Sequence, residues 1–363
     1  MTESSRYMEK DLSDKLQRIN MIFTAVFWMV LSIICLSLMY YVASNKTIVI
    51  ADTKGESIGL AADGAETGNP ESSIVLNGTE EATGEFTIPL QKGIKAENVV
   101  AENNYIKREL RIYIEGASAG FYAERAVSGD IGTVAQCHCE IIKDGVILVF
   151  EMDGIYEYHT TMNDDAMSVS FERPADVYGL VVVIDPMGGG TETGNVLRGY
   201  AEKTLALQIA EKLPDMLSSY GDICVFLTRT EDTLLSTEER LAFAYECGAD
   251  LYIRIGVSSD SDESLYGIMG IYNEEYFIPE FGNVELADAL TRRVTIAAGN
   301  RAVGLVPSDE DSILSMLTIP AAQINVGYFT NEREAALLSR DDYREKLAQG
   351  IADAIIEAGG KMQ

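Results

Sequence analysis

The sequence predicts an α/β fold, a mostly parallel twisted sheet with helices on both faces, preceded by a small all-β domain and a single N-terminal transmembrane helix. Three observations predict it. No charged residue occurs in residues 21–43, apolar and polar residues alternate through much of 86–174, and beyond Tyr178 short apolar runs alternate with stretches of helical spacing. The first is a membrane-spanning signal, the second the period of a half-buried strand, and the third the pattern of parallel strands joined by crossover helices.

Taken in order, the uncharged run gives roughly 34 Å of helix, enough to cross a hydrocarbon core. Arg6, Lys10, Lys15 and Arg18 precede it, whereas only Lys46 and Lys54 follow closely. Residues 1–20 are therefore expected to be a cytoplasmic tail and 21–43 the anchor of a single-pass cell-membrane protein with its C-terminal domains extracytoplasmic. Val42-Ala43-Ser44 would also suit a signal peptidase, so cleavage of the anchor stays open. Residues 44–85, rich in Gly, Ser, Thr, Asn, Asp and Glu, read as a flexible acidic linker.

Residues 86–177 read as the all-β module. In Leu110-Arg111-Ile112-Tyr113-Ile114 aliphatic residues alternate with longer polar-tipped ones. Ile141-Ile142, Lys143-Asp144-Gly145 and the apolar run from Val146 read as strand, turn, strand, with Asp-Gly as the hairpin chemistry. Residues 155–160 and 167–171 flank Asn163-Asp164-Asp165 as a second hairpin. His138 and His159 are the only histidines. Cys137-His138-Cys139 invites a metal reading, but on a strand the histidine points away from both thiols, so structural roles are expected. Cys224 and Cys247 are expected to be buried free thiols, with a disulfide as the alternative. The formal charge of −29 excludes a nucleic-acid partner, which needs clustered Lys and Arg.

Residues 178–363 carry the alternating pattern. Residues 180–184 form a continuous apolar run, suited to a strand buried on both faces. Over 198–220, Leu205, Ile209, Leu213 and Leu217 recur every four residues, predicting one amphipathic helix bent at Pro214. Further strands are expected at 223–227, 251–255 and 322–326. Helices are expected from the Ser236/Glu239 capping box to about Gly248, over 283–298, and near 333–338 and 342–356.

The motifs in this segment resemble the type 3 N-acetylmuramoyl-L-alanine amidase family, in order and in spacing. They are Val183-Ile184-Asp185-Pro186 with the glycines that follow, Glu202-Lys203, Leu227-Thr228-Arg229, Glu239-Arg240, Ala249-Asp250-Leu251-Tyr252-Ile253, and Val326-Gly327-Tyr328-Phe329-Thr330-Asn331. The resemblance implies a bacterial envelope and zinc-assisted cleavage of the amide between muramic acid and L-alanine. Two histidines and a glutamate would hold the metal, and a further glutamate would be the general base. Carried onto this chain, the ligand positions are Met187, Glu202 and Gly256, and the base position is Asn325. Only Glu202 is retained. A thioether is a poor Zn²⁺ ligand, glycine has no side chain, and a carboxamide takes no proton from water.

The expectation is therefore no bound zinc, no catalytic residue and a pseudoenzyme acting as a peptidoglycan-binding, scaffolding or regulatory module, with peptidoglycan or an envelope protein as partner. The alternative is an amidase with a rebuilt site. Asp185, Glu202, Arg254 and Asn325 are the groove candidates. Asp185 is expected to anchor the glycine turn through backbone N–H groups, Arg254 to pair with Glu202, and the glycine run either to turn tightly or to hold an anion. The β module loosely resembles, in layout alone, those that precede amidase domains and bind cell wall.

Overall fold

A computed structural model describes residues 46–48, 50–52, 71–79, 83–197, 199–310 and 312–362. The expected span, 21–43, lies outside these residues. Among the described residues no helix is long and apolar enough to cross a membrane, and the expected single-pass, cell-membrane placement is withdrawn on that finding.

The first module is a β-sandwich of two six-stranded sheets. Phe86, Ile88, Met167, Val169 and Phe171 of one sheet meet Leu110, Ile112, Ile114, Leu148 and Phe150 of the other in one buried cluster. The alternation that predicted these strands is the reason: every second side chain enters the core. Both expected hairpins form, as Val134–Ile142 with Gly145–Met152 and Glu157–Met162 with Ala166–Glu172. The expected linker is shorter than residues 44–85, because Glu71–Ser72 and Leu76–Gly78 already pair with strands of the sandwich, as do Lys46–Ile48 and Ile50–Asp52.

The second module is a six-stranded sheet built from β1 (Leu180–Pro186), β2 (Ile223–Leu227), β3 (Leu251–Ser258), β4 (Ile268–Tyr272), β5 (Ala302–Pro307) and β6 (Ala321–Tyr328), in the order β2-β1-β3-β6-β4-β5. All pairings in it are parallel except β4 with β6. The antiparallel sandwich means that the chain's sheets, taken together, are not mostly parallel. Strands β4 and β5 escaped sequence analysis: β5 is a largely exposed edge strand without a clear apolar period.

Every residue of β1 is buried, as its unbroken apolar run requires. Burial of a side chain such as Ile184 contributes about 1.5–3 kcal/mol. On one face pack α1 (Glu202–Ala210), α2 (Leu213–Leu217), α4 (Asn283–Ala298) and α6 (Asp341–Met362), through Leu205, Ile209, Leu290, Leu347 and Ile351. On the other lies α3 (Thr237–Glu246), through Phe243 and Ala244. Its Ser236 cap accepts from Glu239 N at 3.2 Å and Glu239 Oε2 accepts from Ser236 N at 2.7 Å, closing the predicted box. The expected single helix over 198–220 is two helices, α1 and α2, with the break at residues 211–212, just ahead of Pro214, which cannot supply a helical N–H. Helix α5 (Glu332–Leu338) begins at Asn331, whose side chain accepts from Arg333 N and Glu334 N.

The modules share a core. The turn between Val99–Asn104 and Glu109–Glu115 inserts Tyr105 against the second sheet, ring centroid 4.9 Å from Phe226 and edge-on. Arg108 in the same turn makes a two-pronged ion pair with Glu246 of α3, Nη2 to Oε1 at 2.8 Å.

Candidate functional site

Strand order places the site. The chain leaves β1 through α1 and α2 to β2 on one side, and returns through α3 to β3 on the other. Ligand crevices in open α/β sheets form at such a reversal, outside the carboxyl ends of the strands. Here that is the gap beyond β1 and β3, and Met187 and Gly256 sit in it.

Two rows of side chains on the α3 face build its floor. Asp185, Arg254 and Gln323 are register partners across β1, β3 and β6. One step further out come Met187, Gly256 and Asn325, with Gly256 opposite Asn325 and Met187 N donating to Ile255 O at 2.9 Å. The outer row is closed on itself. A Cβ at Gly256 would stand 2.7 Å from Asn325 Oδ1 and closer still to Met187 Sδ, so the thioether and the amide already occupy the space a side chain there would need. Gln323 Nε2 donates to Asn325 Oδ1 at 2.8 Å, and Asn325 Nδ2 donates to Ser258 Oγ at 2.9 Å. Asn325 is buried and spent on its neighbours.

The inner row is ionic. Fully buried Asp185 accepts through Oδ1 from Thr228 Oγ1 at 2.8 Å and from Arg240 Nη1, and Arg254 Nε lies 3.3 Å from its Oδ2. Asp185 thus anchors through side chains, contrary to the expected backbone N–H contacts. The turn is held the other way round, by its carbonyls. Arg229 donates to Pro186 O, Met187 O, Lys203 O and Glu231 O, while Arg240 reaches Gly188 O at 2.9 Å. Burial, and then the charge of Arg240, pull Arg229 below the usual guanidinium range. Burial, followed by the Asp185 charge, pushes the Tyr252 phenol well up.

The glycine run is a turn and gives no support to an anion cradle. Two of its N–H groups serve internal acceptors, Gly189 to Glu192 O at 3.0 Å and Gly190 to Asp232 Oδ1 at 2.9 Å. Gly189 has φ 128°, and a Cβ there would collide with Thr233 O. Glu202 heads α1 and accepts from Asn195 Nδ2 at 3.1 Å and from Ser259 Oγ. The expected Arg254–Glu202 pair does not form, because Arg254 faces Asp185 across the β1–β3 ladder.

Comparison with known proteins bears on this arrangement. Residues 182–357 match the N-acetylmuramoyl-L-alanine amidase family. The C-terminal domain belongs to the type 3 N-acetylmuramoyl-L-alanine amidase family. The chain is 27% identical over 180 residues to the N-acetylmuramoyl-L-alanine amidase LytC of Bacillus subtilis (strain 168), an alignment covering 50% of this chain but only 36% of LytC. It is 26% identical over 227 residues to the germination-specific N-acetylmuramoyl-L-alanine amidase of the same organism, covering 58% of this chain and 90% of the relative. Among solved structures, the catalytic domain of CwlV from Bacillus (Paenibacillus) polymyxa var. colistinus is 29% identical and covers 49% of this chain and 97% of that domain, with a TM-score of 0.45.

The amidase fold implies zinc, and the residues here do not fit it. A protein zinc site draws nitrogen, thiolate or carboxylate donors from three or four side chains. Position 187 offers a thioether, position 256 offers nothing, and the Asn325 amide is committed to Gln323 and Ser258. Among the described residues no three His, Cys, Asp or Glu side chains gather to hold a metal. His138 lies 3.6 Å from Glu140 within the sandwich, and His159 is exposed on its strand. Cys224 and Cys247 are buried free thiols.

The structure thus brings Met187, Gly256 and Asn325 together, and sets Asp185 and Arg254 one register step beneath. Sequence reasoning missed Gln323 and Ser258, and noted Thr228, Arg229 and Arg240 without a role. The burial of Arg240 that reveals its role is visible only in the structure.

Proposed function

We propose that this amidase-like domain has given up hydrolysis and serves as a peptidoglycan-binding, scaffolding or regulatory module. One observation supports the reading: at the positions that the family resemblance assigns to two zinc ligands and a base, Met187 Sδ and Asn325 fill the space over Gly256, and the Asn325 amide is hydrogen-bonded to Gln323 and Ser258. Amide hydrolysis of this kind needs a polarised carbonyl and an activated water, and neither Sδ nor a carboxamide supplies them. The β-sandwich, docked through Tyr105 and Arg108, would extend the contact surface beside the crevice.

The competing reading is hydrolysis of the amide between muramic acid and L-alanine by a rebuilt site, and the names of the relatives favour it. Incubation of the full chain with purified peptidoglycan separates the two. Co-sedimentation without release of new amino termini supports the binding module, whereas release that rises with added zinc sinks it.

A further inference from the structure

We propose that Arg254 is an anion receptor at the floor of the crevice, taking a carboxylate of a peptide where the family holds a metal. The inference rests on reading the crevice as non-hydrolytic and names the chemistry of what it binds.

Charge is the first argument. Asp185 is one carboxylate shared by two guanidiniums, Arg240 and Arg254, so the cluster carries an uncompensated positive charge inside a chain whose formal charge is −29. Hydrogen bonding is the second. Arg240 is satisfied by Asp185, Leu235 O and Gly188 O, and Arg229 by four carbonyls. Arg254 is not. Its buried Nε stands 3.3 Å from Asp185 Oδ2 without completing a hydrogen bond, and among the described residues nothing accepts from its terminal nitrogens. Leaving a charged donor unpaired in a low-dielectric site is costly, and an incoming acceptor removes that cost.

Access is the third argument. The Arg254 side chain is 19% exposed, whereas that of Arg240 is 3% exposed, so only Arg254 can meet a ligand. It lies one step beneath Met187 and Gly256, on the floor of the crevice. A guanidinium offers a planar fork that matches a carboxylate with two parallel N–H donors. A polyanion would meet the net negative charge of the whole chain, so a single carboxylate on a short peptide is the better complement.

The test is calorimetric titration of the full chain with the dipeptide Ala-Glu, which carries two free carboxylates, and with its fully amidated counterpart. The expected result is saturable binding of the acid form, weakened about tenfold or more by Arg254→Gln and equally by amidation, as loss of a charge-assisted pair requires. Arg254→Lys keeps the cation and loses the fork, so an intermediate loss is expected, and it serves if Arg254→Gln fails to fold. No binding of the acid form, equal binding of the amide, unchanged affinity in Arg254→Gln, or inorganic phosphate competing as strongly as the dipeptide would each overturn the assignment. Zinc-dependent wall hydrolysis by the wild type would sink the non-hydrolytic reading instead, a separable outcome.

Discussion

Replacing Arg240 by methionine removes the cation that ties the end of β1 to α3. Methionine keeps most of the side-chain volume, so the change isolates polar loss. Arg240 is 2% exposed and holds Asp185, Gly188 O and Leu235 O. Breaking one side of a buried ion pair costs about 3–5 kcal/mol, because the remaining charge stays buried. Arg254 and Thr228 still face Asp185, which places the expected loss near the lower end, about 3 kcal/mol. In a domain of this size that corresponds to a fall of roughly 6–12 °C in Tm. Urea unfolding followed by circular dichroism measures it. Adding Asp185→Asn to Arg240→Met removes the stranded carboxylate, so the double variant is expected to lose about 1–3 kcal/mol less than the sum of the singles. Strict additivity, or a single-variant loss below about 1 kcal/mol, would refute the idea that this pair is what fixes the turn.

Other outcomes follow from the same contacts. Gly256→His forces a side chain onto Met187 and Asn325 and is expected to cost about 1–3 kcal/mol; Met187→His with Gly256→His and Asn325→Glu clears the obstruction, and metal analysis should then find zinc that the single variant lacks. Tyr105→Ala empties the aromatic contact between the modules, costs about 3–5 kcal/mol, and should split the unfolding transition in two by calorimetry. Arg292, Lys361 and Arg293 hold Glu357 well below the usual carboxylate range, tying α4 to α6. Because the folded pKa is depressed, its contribution is full above the ordinary glutamate value of about 4.3 and fades as pH falls towards the folded value. Glu357→Gln should therefore cost about 1 kcal/mol at neutral pH, with the difference from wild type closing in acid.

Much of the α/β sheet was legible because its strands are continuous apolar runs and its helices carry caps: β1, β2, β3, β6 and α3 stand where periodicity put them. Edge strand β5 was not legible, since an edge residue has one neighbour and little burial to leave a pattern. Pro214 was recognised as a breaker, but the distinction between a bend and two helices depends on how residues 211–212 pack. At the site, Met187, Gly256 and Asn325, far apart in the sequence, lie side by side in the structure. The partner of Arg254 was misjudged because alternation along β3 and the β1–β3 register, which sequence does not supply, set it opposite Asp185. Short strands within residues 44–85 were hidden by composition, because polar residues on a sandwich edge resemble those of a tether.

The Tyr105–Arg108 turn has a mechanical consequence. It is a four-residue tip flanked by two strands, with Tyr105 in the shared core and Arg108 on Glu246. Sandwich and crevice are consequently presented at one spacing and one orientation. A polymer long enough to touch both would lose its freedom once rather than twice, and two weak grips would combine multiplicatively instead of competing.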